Sequence, residues 1–282
     1  MSLRRSDSPI KRYIIHIFMI FFGLLAILPV YILLVNSTRT IEQINTGLSI
    51  IPGNNAFNNW DALNSRISIP ILSGFLNSAI IAMSTTVLSI YFSALTAYGL
   101  HVYRFKGRAA IWAIILVIMM LPGSLTFIGF YKLMATWGLI DSYIPLIVPG
   151  IAAAATVLFI RQYMSSVLSL ELVDAARIDG AGEYRIFNTI IIPVIIPALA
   201  AQAIFTFVGS WNNFVTPLVI LRNNPMMKTL PLIIASLHGD IYRPEVGAIY
   251  LGVAISLVPI IIFYLFMSRF IISGITMGGI KE

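Results

Sequence analysis

The sequence predicts an all-α integral membrane protein with about six transmembrane helices, on the evidence of its composition, its apolar runs and the charges of its loops. Apolar residues make up 59% of the 282 residues and charged residues only 10%, whereas soluble domains average roughly 45 to 50% and about 25%. The mean hydropathy is +0.92. So few charges cannot cover a water-facing surface of this size, while a surface that faces lipid needs none. We therefore expect the chain to lie in a bilayer.

Six apolar runs are long enough to cross a membrane. A spanning helix needs about 20 mostly apolar residues to cross roughly 30 Å of hydrocarbon. The runs lie at about 13–35, 76–100, 109–133, 143–160, 191–221 and 247–270. This division leaves tails at 1–12 and 271–282. The first run is too long for the apolar part of a signal peptide, so we keep it as a span.

Lysine and arginine residues are concentrated on one side of these spans. Loops rich in Lys and Arg stay in the cytoplasm, and one side holds about twice as many of these residues as the other. The richer side holds Arg4, Arg5, Lys11, Arg12, Arg104, Lys106, Arg108, Arg161, Arg177, Arg185, Arg269 and Lys281. We therefore predict that both termini are cytoplasmic. The net charge of +7 is then an anchor to anionic membrane lipid rather than a nucleic-acid surface.

The most polar stretch of the chain is the inner segment 169–190. Ser169 is expected to cap a helix from 170 to 178, with Glu171 in its first turn. Gly180 and Gly182 then break the helix, and a second short helix begins at Glu183.

The bend between these helices is slender, because small residues surround it: Ala175, Ala176 and Ala181. Such a bend fits a cleft on another protein, with the flanking charges meeting a polar rim. An amphipathic connector lying on the membrane surface explains the same pattern.

One motif in this segment favours the first interpretation. The run Asp174-Ala175-Ala176-Arg177-Ile178-Asp179-Gly180, followed by Ile190-Ile191-Ile192-Pro193, resembles the EAA motif of bacterial ABC importer permeases. That motif consists of Glu-Ala-Ala, a following glycine and an Ile-x-Leu-Pro close. Asp174 stands in place of Glu and Ile192 in place of Leu. The shorter carboxylate changes the reach of any salt bridge at that position.

Further segments resemble the carbohydrate, maltose-type branch of these permeases, specifically its smaller membrane subunit. Gly209-Ser210-Trp211-Asn212-Asn213-Phe214 is similar to that branch's Trp-Asn-Asp-Phe segment, with Asn213 in place of the acid. The stretches at 229–232 and 273–281 are similar as well.

The resemblance implies the transmembrane domain of a type I ABC importer in the bacterial cytoplasmic membrane. It implies four partners: a second permease subunit, an ABC ATPase dimer, an extracytoplasmic solute-binding protein and a sugar. ATP and Mg would bind to the ATPase, so no cofactor is expected in this chain. The residues expected to couple the chain to the ATPase are Glu171, Asp174, Ala175, Ala176, Asp179, Gly180, Ala181, Gly182 and Tyr184.

The sequence offers no energy source and no catalytic or metal site of its own. It contains no Gly-rich loop that ends in Gly-Lys-Ser/Thr. Ionisable residues, which ion-coupled carriers need, are absent from the interiors of the spans. There is no cysteine, and no ligand spacing links His16, His101 and His238. The alternatives are an energy-independent channel or ion-coupled carrier, and a permease for another polar solute.

Two groups of residues are candidates for the substrate path. Ser89 and Ser93 belong to a stripe of hydroxyl residues on one helix face, a pattern that more often serves helix packing. Trp211, Asn212 and Asn213 resemble a sugar clamp, but their distance along the span also suits an aromatic belt at the membrane boundary.

Overall fold

The computed structural model describes residues 9–65, 69–237 and 245–278. Within these ranges all regular structure is helical, which confirms the predicted all-α class. Arg4, Arg5, His238 and the last tail residues, 279–282, lie outside the described residues.

The chain divides into two compact units. The first comprises residues 1–68 and 234–255, and the second comprises 69–233 and 256–282. In the first unit lie α1 (Pro9–Asn36), α2 (Ile41–Asn45) and α3 (Ala56–Ser65). Helices α13 (Leu230–Ser236) and α14 (Val246–Gly278) run through both units.

The first unit is organised around a buried arginine. Arg39 donates hydrogen bonds to the carbonyl oxygens of Gln43 and Gly47 and to Oδ1 of Asn36. Asn59 donates in turn to the carbonyl oxygen of Arg39 over 3.1 Å. These acceptors replace the water that a buried guanidinium loses, and the positive charge suits the C-terminal end of α1.

The second unit contains the remaining α-helices and a π-helix. They are α4 (Ile71–Val102), α5 (Arg108–Met120), α6 (Gly123–Thr136), α7 (Ile144–Ile147), α8 (Ala154–Val167), α9 (Leu170–Ile178), α10 (Glu183–Arg185), a π-helix (Ile186–Ile191), α11 (Ile192–Trp211) and α12 (Val215–Ile220). Helix α4 packs against α8 and α11, which also contact each other. This three-helix contact forms the core that supports the candidate site.

Five helical stretches of the described chain are long and apolar enough to cross a membrane: Arg12–Asn36, Ile71–Val102, Ile144–Val167, Glu183–Trp211 and Val246–Ile272.

The stretch expected at 109–133 is divided into α5 and α6. Pro122 explains the break, because proline lacks an N–H donor and forces the preceding residue out of the helical region; Leu121 is accordingly extended. The stretch expected at 191–221 is interrupted after Trp211, where α11 ends.

Candidate functional site

The inner segment begins with α9, a capped helix. Ser169 has an extended backbone, and its Oγ accepts the N–H of Leu172 over 3.3 Å. Glu171 lies in the first turn, where its charge favours the positive end of the helix. The prediction of a helix from Leu170 to Ile178 capped by Ser169 is confirmed.

A Schellman turn ends α9 and forms the bend. The N–H of Ala181 donates to the carbonyl oxygen of Ala176, and that of Gly180 donates to Arg177, both over 3.0 Å. Gly180 has φ +78°, a left-handed conformation that favours glycine. A Cβ at Gly180 would meet nothing within 4 Å, so the requirement for glycine is conformational. Gly182 has φ −69° and is free of this constraint.

Apolar side chains anchor the bend to the helix bundle. Val173, Ile186 and Phe187 are fully buried in the core that α4, α8 and α11 share. The ring of Phe187 packs against two tyrosines of α4, with centroid distances of 5.4 Å to Tyr98 and 5.7 Å to Tyr91. Each buried side chain of this size contributes roughly 1.5–3 kcal/mol. The bend is therefore a firm extension of the bundle.

A polar network ties both sides of the bend to α4. Arg177 donates from Nε to Oε1 of Glu183 over 2.7 Å and from Nη1 to Oδ1 of Asp174 over 3.0 Å. Tyr98 donates its hydroxyl to Oε2 of the same Glu183 over 3.0 Å. The guanidinium lies 5.6 Å from the ring centre of Tyr103. The hydrogen-bonded carboxylate of Glu183 raises the pKa of Arg177 above its usual value, so the guanidinium stays charged at neutral pH.

A π-helix joins the bend to α11, and the sequence analysis did not foresee it. Two side chains of this π-helix donate hydrogen bonds to main-chain carbonyl oxygens of the preceding turn. Asn188 donates to the carbonyl oxygen of Tyr184 over 2.8 Å, and Thr189 donates to that of Arg185 over 2.7 Å. Single turns of π-helix are frequent at functional sites.

Most of the expected coupling residues lie on the outer surface of the bend. The exposed ones are Glu171, Asp174, Ala175, Asp179, Gly180, Gly182 and Tyr184. Ala176 is buried and Ala181 half-buried, and both pack inward against the core. These two alanines therefore support the bend.

Sequence reasoning overlooked Ile178 as a surface residue. Its side chain is 86% exposed, and that of Tyr184 is 77% exposed. Ile178 follows Asp174 by four positions and Ala175 by three, so it shares their helix face. An isoleucine on the polar face of α9 was the signal that could have identified it.

The serines proposed for the substrate path lie in the interior of the protein. Ser89 and Ser93 are fully buried, and neither hydroxyl has a hydrogen-bond partner among the described residues. Thr85, one turn earlier, donates to the carbonyl oxygen of Leu146 over 3.4 Å. This burial favours the packing interpretation of the stripe.

Trp211 is an internal contact of the bundle. Its Nε1 donates to the carbonyl oxygen of Ser256 in α14 over 3.1 Å, and its ring packs between Phe75 and Phe207. The side chain is buried. It presents no free face for a sugar in this conformation.

The two asparagines after Trp211 have different environments. Asn213 accepts the N–H of Thr216 through Oδ1 over 3.3 Å, which supports the start of α12 in the manner of a helix cap. An aspartate at this position would make the same contact. Asn212 is exposed and, of these three residues, is the most accessible.

An apolar cleft of about 610 Å³ lies between α4, α11 and α14. Its lining includes Met83, Phe207, Trp211, Phe263 and Met267. Sugar sites combine apolar walls with several convergent polar groups, and this cleft offers only Thr86 and Tyr91. The lining of this cleft therefore suits a hydrocarbon chain better than a sugar.

Comparison with known proteins gives consistent results. The family described as "Binding-protein-dependent transport system inner membrane component" matches residues 89–276. The arabinooligosaccharides transport system permease protein AraQ of Halalkalibacterium halodurans is 36% identical over 282 residues, which cover 99% of this chain and 100% of AraQ. The lactose transport system permease protein LacG of Rhizobium radiobacter is 32% identical over 257 residues, which cover 91% of this chain and 92% of LacG.

A solved structure shares the fold. It is the crystal structure of a bacterial ABC transporter involved in the import of the acidic polysaccharide alginate, and one of its chains matches with a TM-score of 0.77 at 21% identity. The match covers 95% of this chain and 99% of that chain. The expected fold of an ABC importer membrane domain is thereby confirmed.

The family match spans most of the chain, and the similarity to AraQ extends over nearly all of it. The expectation drawn from the EAA-like motif is therefore confirmed. This multi-pass membrane chain belongs to the family of inner membrane components of binding-protein-dependent transport systems.

Proposed function

We propose that this chain is the permease subunit of an ATP-driven importer, and that it moves a sugar or oligosaccharide across the bacterial cytoplasmic membrane by alternating access. The observation that carries the coupling mechanism is the bend at 178–184. It rests on buried anchors, yet it presents Ile178 and Tyr184 to the exterior. Exposed apolar side chains on a firmly anchored bend indicate a surface that another protein covers.

The partner at this bend is one subunit of an ABC ATPase dimer. The chain has no nucleotide-binding loop of its own, so ATP and Mg bind to the partner. Ile178 and Tyr184 enter a cleft on the ATPase, while Glu171 and Asp179 contact its polar rim. A second permease subunit completes the pathway, and an extracytoplasmic binding protein delivers the solute.

Motion passes from the bend into the bundle along the contacts described above. ATP-driven closure of the ATPase dimer displaces the bend. Because Phe187 packs against Tyr98 and Glu183 accepts a hydrogen bond from the same tyrosine, α4 moves with it. Packed elements transmit such displacements as rigid bodies, which switches access from one side of the membrane to the other.

Both termini lie in the cytoplasm in this proposal. The bend contacts the C-terminal end of α4 through Tyr98, and Arg161 of α8 donates to the carbonyl oxygen of Leu100 there. The basic residues Arg104 and Lys106 follow directly in the chain. The positive-inside rule therefore supports a cytoplasmic location for the bend.

Sugars are the proposed substrates because AraQ and LacG, whose names specify arabinooligosaccharides and lactose, are similar along most of the chain. Trp211, Ser89 and Ser93 are buried, so they reach the solute only if the helices separate during the cycle. Asn212 is exposed and is our first candidate for a polar contact with the substrate.

Reconstitution tests the energy source and the substrate class together. The chain, its sister permease and the ATPase are placed in proteoliposomes with the binding protein, and the uptake of labelled pentose and hexose oligosaccharides is measured. We expect uptake to require both ATP and the ATPase. Uptake without them, or uptake driven by an ion gradient alone, would contradict the proposal. Preferential uptake of an amino acid or a phosphate ester would replace the sugar assignment and leave the mechanism intact.

Crosslinking tests the docking surface directly. The chain contains no cysteine, so Ile178→Cys and Tyr184→Cys provide unique attachment points for a bifunctional reagent. Both are expected to crosslink to the ATPase in the assembled complex. Val173→Cys is the matched control on the same helix, because its side chain is buried and should not react. Absence of a crosslink at both exposed positions would contradict docking at the bend.

A further inference from the structure

A loop in the first unit exposes several apolar side chains. Leu48, Ile50 and Ile51 have side chains that are 87%, 67% and 72% exposed. They lie within residues 43–60, a stretch without any charged side chain. Phe57, in α3, is 85% exposed as well. Several exposed apolar side chains in one short segment indicate a site of interaction.

A hydrogen bond to α1 sets the depth of this loop. The hydroxyl of Tyr31 donates to the carbonyl oxygen of Ile50 over 2.8 Å. Tyr31 follows Arg12 along the same helix by nineteen residues, or roughly 28 Å at the α-helical rise. The hydrocarbon core of a bilayer is about 30 Å thick. With Arg12 at one boundary of the core, Tyr31 and Ile50 lie at the other boundary.

Both ends of the loop are fixed to the C-terminal end of α1. The carbonyl oxygen of Gly47 accepts from Arg39 over 3.2 Å, and the N–H of Gly53 donates to Oγ1 of Thr38 over 2.9 Å. The loop therefore cannot swing away from α1 without breaking these contacts.

Two hydrogen bonds partly satisfy the backbone of the loop. Oγ of Ser49 accepts the N–H of Ile51 over 3.1 Å, and Tyr31 binds the carbonyl oxygen of Ile50. Unsatisfied backbone groups are costly where water is scarce. These bonds allow the tip of the loop to enter a region poor in water.

We propose that Leu48, Ile50 and Ile51 insert into the lipid interface at the C-terminal end of α1. Lipid is the occupant because the loop lies beside Tyr31, within the span of α1, at the level where tyrosine side chains collect in membranes. A water-soluble protein would instead meet the surface beyond the end of the helix. The loop carries no charge, so it contacts acyl chains and the headgroup boundary without selecting for anionic headgroups. It anchors the end of α1 at a fixed depth.

Spin labelling tests this proposal in the assembled transporter. The absence of cysteine allows a single nitroxide at Leu48→Cys or Ile51→Cys, with the complex in phospholipid nanodiscs. Collision rates are measured with oxygen, which concentrates in lipid, and with a water-soluble nickel chelate. Glu42→Cys is the control in water, since that charged side chain is exposed, and phospholipids labelled at known depths calibrate the lipid side.

We expect labels at both loop positions to collide more with oxygen than with nickel, at a depth near the headgroup boundary, while the label at position 42 shows the reverse. A loop label that behaves like the one at position 42 would place the loop in water and overturn the proposal. Low collision rates with both reagents would show that a protein covers the loop, and would overturn it equally. These results are independent of which solute is transported.

Discussion

Arg177 and Glu183 lie on opposite sides of the bend at Gly180, and the guanidinium Nε donates to the carboxylate Oε1 over 2.7 Å. The second oxygen of Glu183 accepts the hydroxyl of Tyr98. One carboxylate thus connects α9, α10 and α4. In the proposed mechanism, this connection joins the surface that docks on the ATPase to the membrane-spanning bundle.

A double-mutant cycle at this pair tests its contribution. Arg177→Ala and Glu183→Ala are each expected to lower ATP-driven uptake, and the double variant should lose little more than either single one, because both remove the same contact. The side chains are 35% and 45% exposed, so solvent screening limits their coupling in thermal unfolding to about 0.5–1 kcal/mol. Arg185→Ala, an exposed basic residue nearby, is the control. Additive losses of uptake in the double variant would contradict a shared role.

Substitution of Gly180 is expected to separate ATP hydrolysis from transport. An L-residue at φ +78° costs roughly 1–2 kcal/mol in the left-handed region, so Gly180→Val should distort the bend and its docking surface. Asparagine tolerates this region better, and Gly180→Asn should retain more uptake. ATPase activity and sugar uptake are measured together in proteoliposomes.

Gly182 provides the matched control for this experiment. Its φ of −69° suits any residue, and a Cβ there meets nothing within 4 Å. Gly182→Ala should therefore leave the backbone of the bend unchanged and lower uptake less than Gly180→Val does. Normal uptake by Gly180→Val would show that the shape of the bend does not matter.

Trp211 is expected to affect stability rather than affinity for sugar. Trp211→Phe removes the hydrogen bond to Ser256 and should lower the free energy of unfolding by about 1 kcal/mol. Trp211→Ala also leaves a cavity and should cost about 3–5 kcal/mol. Thermal unfolding of the assembled transporter measures both, and Trp137→Phe, at an exposed position, is the control. A raised KM for uptake by Trp211→Phe with unchanged stability would instead assign the indole to sugar binding.

Asp141 is expected to make stability depend on pH. Its carboxylate accepts the backbone N–H of Asn223 over 2.9 Å and the side-chain amide of the same residue over 2.7 Å. The first of these bonds is the main cause of a pKa below the usual value for Asp141. Because the folded pKa lies below the unfolded one, the stabilisation is complete above the unfolded pKa and disappears as pH falls through the folded pKa.

The measurement compares the unmodified chain with Asp141→Asn. Asparagine tolerates the φ of +58° at this position but does not titrate. The melting temperature of the unmodified protein should fall relative to that of the variant as pH decreases from about 5 to about 3. Parallel pH profiles for the two proteins would contradict this role of the carboxylate.

Features that depend on neighbours in the chain were predictable. The capped helix from Leu170 to Ile178 and the break at Gly180 follow from residue types a few positions apart, because caps and left-handed turns are local structures. The break at Pro122 was equally readable, since proline cannot continue a helix without losing a hydrogen bond. Apolar composition by itself does not reveal this break, because the residues on both sides of Pro122 are mostly apolar.

Features that depend on distant partners were not predictable. The hydrogen bond from Trp211 to Ser256 joins residues of two different helices, and no local sequence pattern predicts it. The same holds for the contact between Tyr98 and Glu183. The aromatic belt and the sugar clamp were therefore open alternatives for Trp211 on the sequence. The contacts of α11 with α4 and α14 bury the indole in this conformation.

By itself, the sequence determined that this chain lies in a membrane, that it has no nucleotide-binding loop and that it carries a capped, glycine-bent segment between two apolar spans. Hydropathy, residue spacing and backbone preference act over short distances along the chain, so they can be predicted from the sequence. Only the tertiary structure decided that Arg177 binds within the chain, that Ile178 faces outward and that Ser89 is buried. These outcomes depend on which helices pack together, because helix packing decides which side chains are buried and which are paired.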